Sequence, residues 1–249
     1  MKITAIIPTL NEAIHIEEAI NSVSFADEII IIDSFSTDNT IDLAQKHGVK
    51  IIQRPFDDYS SQKNFAISQA KHNWIFMLDA DEKISPKLKL ELKNLFSQNP
   101  DKVAYWFHRT DYFMGKKIRF SGWRNDKVIR FFNRNFCKYN GKLVHEEILL
   151  IGQVGFLKEP LLHYPYKNFD HYVGKLNKYA GLQAKMLFDE GKHLNFFHFA
   201  VKPSYRFVNH YFLKFGFLDG YQGFVIAVLQ SYGVFARYIK LWLLKHHQD

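Results

Sequence analysis

The chain has 249 residues, 47% of them hydrophobic, which suffices for a sizeable core and excludes a disordered protein. A net charge of +8 favours anionic partners such as phosphorylated substrates or an acidic membrane surface, whereas nucleic acid is not expected, since zinc-finger spacing, basic heptads and an RNA-binding consensus are all missing. Cys137 is the sole cysteine, so no internal disulfide can form, and the apolar part of the N-terminal segment is too short for a signal peptide; both features imply the cytoplasm.

Strand and helix patterns alternate through the first hundred residues. Residues 4–8 read as a strand, and Asn11 is placed to cap a helix whose apolar positions Ile16, Ile20 and Val23 keep helical spacing. Residues 28–33 carry four consecutive isoleucines, the mark of a strand buried on both faces. Asp38 then caps a helix that stops at Gly48, residues 49–53 form a third strand, and residues 60–71 a third helix. The run 74–78 is a fourth buried strand, and Ser85 followed by Pro86 starts a helix reaching about residue 98. This alternation implies right-handed crossovers and a mostly parallel, Rossmann-like α/β sheet flanked by helices.

Residues 103–156 are richer in aromatic and β-branched residues, with turn signals at Met114-Gly115 and Asn140-Gly141, and suggest added antiparallel strands. From Asn168 onward the pattern is helical. Residues 201–249 hold 12 aromatics. Arg206, His210 and Lys214 share one helical face there, with Val208, Tyr211, Phe212 and Phe215 largely off it. The least charged window, 220–236, is short and polar for a bilayer span. A basic, aromatic segment of this kind suits the membrane interface, with Arg237, Lys240 and Lys245 as the contacts to anionic lipid. The expected organisation is a nucleotide-binding half over 1–100, acceptor-side strands over 101–165, and a C-terminal helical, membrane-associating region over 166–249.

Ligands of a parallel sheet bind beyond the carboxyl ends of its strands, where Pro8-Thr9, Asp33-Ser34 and Asp79-Ala80-Asp81 all fall. On an extended chain Asp79 and Asp81 point to the same side, and two converging carboxylates call for a hard divalent cation, completed by substrate phosphate oxygens. Glu82 is expected only to start the next turn. The chain contains neither Gly-x-x-x-x-Gly-Lys nor Gly-x-Gly-x-x-Gly, which excludes a P-loop ATPase and an ordinary dinucleotide dehydrogenase.

Four segments occur in order: Ala-Ile-Ile-Pro-Thr-Leu-Asn-Glu (5–12), Ile-Ile-Asp-Ser-Phe-Ser-Thr-Asp (31–38), Gln-Lys-Asn-Phe-Ala (62–66) and Leu-Asp-Ala-Asp-Glu (78–82). Together they resemble the inverting family 2 glycosyltransferases with the GT-A fold. Leu-Val-His-Glu-Glu (143–147) and Gly-Phe-Leu-Asp-Gly-Tyr-Gln-Gly (216–223) are similar to the branch containing lipopolysaccharide inner-core β-1,4-glucosyltransferases. The resemblance implies that Pro8, Thr9 and Glu12 border the nucleotide and that Asp33 binds uracil or ribose. Lys63 and Asn64 would lie beside the base and diphosphate. Asp81 would be the main ligand of Mg²⁺ or Mn²⁺, with Asp79 reaching both metal and ribose. Phe35 stands where the family usually has Gly.

Inversion requires a base for the acceptor hydroxyl and an electrophilic clamp on the leaving diphosphate. Glu146 is the expected base with Glu147 its rival, and His145 would orient the acceptor or touch the diphosphate or metal. Arg130 and Arg124 are candidates for phosphate contact, and Trp123 for stacking on a sugar or for the core. The implied activity is transfer of a hexose, glucose from UDP-glucose, to a lipid-linked saccharide at the inner face of the cytoplasmic membrane. Transfer to a polyprenyl phosphate, or a non-catalytic membrane-surface binding protein of the same fold, are the alternatives.

Overall fold

In a computed structural model, which describes residues 1–123, 126–141 and 147–246, the chain divides into two compact units. The first comprises 1–110 with 126–163, and the second 111–125 with 164–249.

The first unit is built on β1 (Ile3–Thr9). It follows with α1 (Ile16–Ser22), β2 (Glu28–Asp33), α2 (Thr40–Gln45), β3 (Lys50–Gln53), α3 (Tyr59–Ser68) and β4 (Trp74–Met77). Next come β5 (Glu82–Ile84), α4 (Pro86–Ser97), β6 (Ala104–Phe113, which runs on into the second unit) and the hairpin strand β7 (Lys116–Lys117). The first unit resumes with β8 (Lys127–Asn133), β9 (Cys137–Tyr139), β10 (Ile148–Leu150), β11 (Val154–Phe156) and β12 (Leu161–His163). Spatial order is β3-β2-β1-β4-β8-β6. The first four strands are mutually parallel, and β8 enters antiparallel to both β4 and β6. The apolar runs explain this core directly. Ala5, Ile7, Ile31, Phe76 and Leu78 pack on one face of the sheet, whereas Ile6, Ile30, Ile32, Ile75 and Met77 pack on the other. Every residue of such a strand is buried, so alternation disappears from the sequence. Cys137 lies on the second face, buried, with its thiol pushed up to about 11 by burial.

Local start signals explain the entries of α3 and α4. Asp58 accepts from the Ser61 N–H at 2.8 Å, and Ser85 from the Leu88 N–H at 3.2 Å. Gly48 ends the second helical segment at φ +64°. Asn11 departs from expectation. It sits at φ +54°, its side chain accepts from the Thr37 N–H at 2.7 Å, and α1 begins only at Ile16. A side chain bound to a neighbouring loop is no longer available as a cap.

The second unit opens with the hairpin around Met114 (φ +48°) and Gly115 (φ +73°), where Tyr112 and Phe113 pair with Lys117 and Lys116 of β7. Two long helices, α5 (Phe169–Asp189) and α8 (Tyr221–Lys245), pack together with α6 (Phe196–Phe199) and α7 (Val201–Val208). A π-helical turn (Asn209–Leu213) and a 3-10 turn (Gly216–Asp219) join α7 to α8. Phe113, Tyr172 and Ile226 form the core, and Trp123 packs edge-on against Phe113 and Tyr172, as a core tryptophan. Among the described residues α8 is the one helix long and apolar enough to cross a membrane by length and composition. It nevertheless buries Ile226, Ala227, Leu229, Ala236 and Leu241 within its own unit.

The helical face expected to carry Arg206, His210 and Lys214 is broken after Val208, where α7 gives way to the π-helical turn. Arg206 and His210 are turned inward, Arg206 donating to Gln230 at 3.0 Å and His210 buried against the Ser121 carbonyl at 2.8 Å, whereas Lys214 is exposed. Val201, Tyr205, Val208 and Phe212, at helical spacing, are exposed instead.

Candidate active site

The parallel register brings the strand ends together. Thr9 lies opposite Asp33, Asp33 opposite Gln53, and Leu78 continues β4 by donating to the Ile6 carbonyl at 2.9 Å. Asp79, Ala80 and Asp81 therefore emerge at the carboxyl edge, where the chain turns into β5.

Asp79 is partly buried, and its carboxylate is bracketed by cations. Arg130 Nη2 bonds Oδ2, and Lys63 Nζ lies 3.7 Å from Oδ1. Burial by itself would raise the Asp79 pKa. Arg130, Lys63, Arg109 and His163 outweigh that effect and hold the carboxyl well below the usual range. Arg130 lies between Ile129 and Phe131 in β8, and burial would lower its pKa; Asp79 and Glu82 reverse this and raise it well above the ordinary guanidinium value. Its Nη2 also reaches Glu82 Oε1 at 2.7 Å. Glu82, expected only to start a turn, is wholly buried. It accepts from Arg109 at 3.4 Å and from the Asp79 N–H at 3.2 Å, so this carboxylate holds two arginines and the preceding turn in place.

Asp81 follows Asp79 two residues later in the same turn. Its Oδ2 lies 3.6 Å from His163 Nε2, because β12 pairs antiparallel with β5 and brings His163 opposite Glu82. His163 thus stands beside Asp81 and also acts on Asp79, whose carboxylate is bonded by Arg130 and faced by Lys63. A carboxylate and an imidazole are both donors for Mn²⁺, and the carboxylate alone serves Mg²⁺. Among the described residues no group of three His, Cys, Asp or Glu side chains converges as a ready-made cage. A metal here would draw its remaining ligands from substrate oxygens and water.

A cleft of about 700 Å³ opens over these residues, lined by Lys63, Asp79, Trp106, Arg109, Arg130 and Glu147 among others. Arg109 is clamped to Asp126 at 2.7 Å through Nε, and Lys63 lies 5.3 Å from the centre of the Tyr139 ring. Glu147 is exposed at the cleft and accepts from the Asn140 side chain at 3.4 Å. Its expected companions His145 and Glu146, and Arg124, lie outside the described residues.

Several expected nucleotide contacts hold the protein together. Asp33 is fully buried, accepting from the Ser36 N–H at 3.0 Å and from Gln53 at 3.2 Å, and so shapes the 34–37 turn. Phe35 occupies that turn at φ +62°, a left-handed conformation glycine adopts freely and phenylalanine does not. Asn64 exchanges two hydrogen bonds with the Tyr139 backbone, at 3.0 and 3.1 Å, and so fixes α3 to β9. Thr9 donates to the Ile7 carbonyl at 3.1 Å, and Glu12 reaches His15 at 2.7 Å. Pro8 lies opposite Ile32. Arg109, Asp126, Trp106 and His163 are not singled out by the sequence, and Glu82, expected only to start a turn, is buried. An arginine inside an apolar run is the signal that points to Arg130; Arg109, flanked by His108 and Thr110, carries no such signal, nor do the others.

The glycosyl transferase family 2 profile matches residues 4–152. An uncharacterized glycosyltransferase of Rickettsia bellii is 35% identical over 257 aligned positions, covering 96% of this chain and 86% of its own. The lipopolysaccharide core biosynthesis glycosyltransferase LpsC of Rhizobium meliloti is 29% identical, covering 96% of this chain and 93% of its own. The crystal structure of S. aureus TarS 1-349 in complex with UDP aligns over 100% of this chain and 92% of that one, at 14% identity and a TM-score of 0.49. The chain belongs to glycosyl transferase family 2: it is a glycosyltransferase, with the mostly parallel GT-A sheet that its motifs imply.

Proposed function

We propose that this family 2 glycosyltransferase moves a hexose, glucose from UDP-glucose, onto a lipid-linked saccharide of the lipopolysaccharide inner-core type. The reaction would be an inverting displacement assisted by Mg²⁺ or Mn²⁺ at the cytoplasmic face of the membrane. The observation that carries this reading is the convergence of Asp79, Lys63, Arg130 and Glu147 around one cleft at the carboxyl edge of the sheet, with Asp81, two residues beyond Asp79 in the chain turn, paired with His163. The acceptor class is supported by the likeness to LpsC, named for lipopolysaccharide core biosynthesis.

Asp81 would hold the metal together with His163, and the ion would supply charge compensation on the departing diphosphate. Lys63 and Arg130 add fixed positive charge beside the same group. Asp79, ionised at every working pH, keeps both cations aimed at the cleft. Glu146, or Glu147 at the cleft wall, takes the proton from the acceptor hydroxyl as its oxygen bonds the anomeric carbon. The bond from that carbon to the diphosphate oxygen breaks, and UDP leaves on the face opposite the acceptor, inverting the configuration.

The test is a screen of UDP- and GDP-sugars with Mg²⁺ or Mn²⁺, following nucleotide release. UDP-glucose with a core saccharide acceptor is expected to give the fastest turnover. Asp81→Ala and Glu146→Gln should each lower transfer by about 10²–10⁴-fold at unchanged melting temperature. Full activity of Glu146→Gln with loss in Glu147→Gln would move the base by one residue, and full activity of both would discard a glutamate base.

A further inference from the structure

The turn between α7 and α8 presents its side chains outward. Phe212, Leu213, Phe215, Phe217, Leu218 and Tyr221 are each between 45% and 70% exposed. Ring contacts make the patch continuous, with Tyr211 lying 5.0 Å from Phe212 and 6.3 Å from Phe217, and Phe215 6.2 Å from Phe217. A patch of large apolar side chains marks a surface that meets something other than water.

The turn is also firmly held. A Cβ on Gly223 would stand 1.8 Å from the Gly216 carbonyl oxygen, and one on Gly216 would stand 2.5 Å from the His210 carbonyl oxygen, so only glycine allows this close packing onto α8. Phe215 accepts φ +55°, a conformation that costs a bulky residue energy and here directs an aromatic ring into solvent.

Charge identifies the occupant. Asp219 is the only acidic residue between Glu190 and Asp249, and it is buried. Its carboxylate accepts from the Arg119 N–H, the Phe120 N–H and the Ser121 hydroxyl, each at 2.9 Å. Its carbonyl accepts from Lys116 Nζ at 2.7 Å. The one carboxylate is thereby hidden, while Lys116, Lys117, Arg119 and Lys214 remain exposed around the turn. A second copy docked symmetrically on this patch would oppose like charges. An anionic phospholipid surface satisfies both features, taking aromatic rings at the acyl boundary and cations among its headgroups.

We propose that this turn is a docking tip that inserts its aromatic side chains into the interfacial zone of an anionic bilayer. The proposal rests on the reading that the acceptor is lipid-linked, and it moves the membrane contact from the basic C-terminal end to the α7–α8 turn. The test is co-sedimentation of the full chain with phosphatidylcholine vesicles, with and without phosphatidylglycerol, in the absence of donor and acceptor. Phe215→Ser/Phe217→Ser/Leu218→Ser should weaken binding roughly tenfold or more, and Lys116→Gln with Lys117→Gln about fivefold per cation. Arg237→Gln/Lys240→Gln/Lys245→Gln should bind like the wild type. Circular dichroism reports whether the triple serine variant folds; if it does not, fluorescence of Phe217→Trp decides, since brominated lipids should quench the new indole. The proposal is overturned by equal binding of wild type and serine variant, by an indole at position 217 that brominated lipids leave unquenched, or by a wild-type dimer that the serine substitutions dissociate. UDP release with a soluble saccharide acceptor is followed in parallel. Turnover without vesicle binding removes the docking tip alone, and vesicle binding without turnover removes the proposed glucosyl transfer alone.

Discussion

The carboxylates beneath the cleft of the first unit and the one inside the turn of the second are used in opposite ways, and Asp33, also in the first unit, follows the second pattern. In the first unit Asp79 and Glu82 face guanidinium and ammonium groups, so charge is gathered beneath an open cleft. In the second, Asp219 faces backbone N–H groups and a hydroxyl, and its charge serves to fold a turn. A buried ion pair contributes little net stability but makes each partner indispensable to the other, and it keeps charge where substrate charge will arrive. A carboxylate on backbone donors has no such partner to lose, and signals architecture. Burial of a charged residue therefore does not mark a site; the identity of its partner does.

This contrast can be broken most sharply at Arg130. Arg130→Ala leaves Asp79 and Glu82 facing each other without their shared cation, and should cost about 3–5 kcal/mol in chemical denaturation, with transfer lost as well. A variant as stable as the wild type would mean that these carboxylates are well solvated and the contrast false. Gly223→Ala attacks the second unit without touching charge. Its methyl group overlaps the Gly216 carbonyl, and a loss of about 1–3 kcal/mol is expected, with UDP affinity in the folded fraction unaltered.

Acid separates the two regions by pH window. Burial depresses the His210 pKa to about 4, with Arg206 and Lys214 adding to the effect and the Ser121 carbonyl opposing it. The unfolded chain binds a proton near the ordinary value of 6.5 and the native chain does not, so stability is complete above pH 6.5 and declines as pH falls towards 4. Asp79 has a depressed carboxyl pKa, so its contribution persists through that window and is lost only as pH falls below 3.8. Melting temperatures across this range should fall in two stages, and His210→Gln should flatten the upper one alone. The smallest effect is expected at Phe35. Phe35→Gly relieves a left-handed phenylalanine and should raise stability by about 1 kcal/mol while UDP binding is retained, as measured by calorimetry.

What the sequence disclosed depended on whether the cause was local. The five apolar residues from Trp74, the Ser85-Pro86 start and the Gly48 stop act over a few positions, and each appears where expected. Asp81 and His163 meet only because β5 and β12 pair across a long stretch of chain, and no short motif encodes that register. Glu82 reads as no more than the start of a turn until Arg109 and Arg130 are seen to reach it from two other strands. The stretch from Val201 to Phe212 misleads for the same reason. Its polar stripe implies solvent on one side, but Gln230 and the Ser121 carbonyl wait on that side, and the apolar stripe is turned out.

The lone thiol gives the first unit a built-in clock. Cys137 is closed off on the underside of the sheet, its sulfur 3.7 Å from the Val103 carbonyl, with no other cysteine in the chain to compete for reagent. A buried thiol whose pKa stands near 11 does not react while the strand is paired, so each alkylation event counts one opening. Slowing of that count by UDP would reveal how far a ligand at the carboxyl edge tightens strands that it never touches.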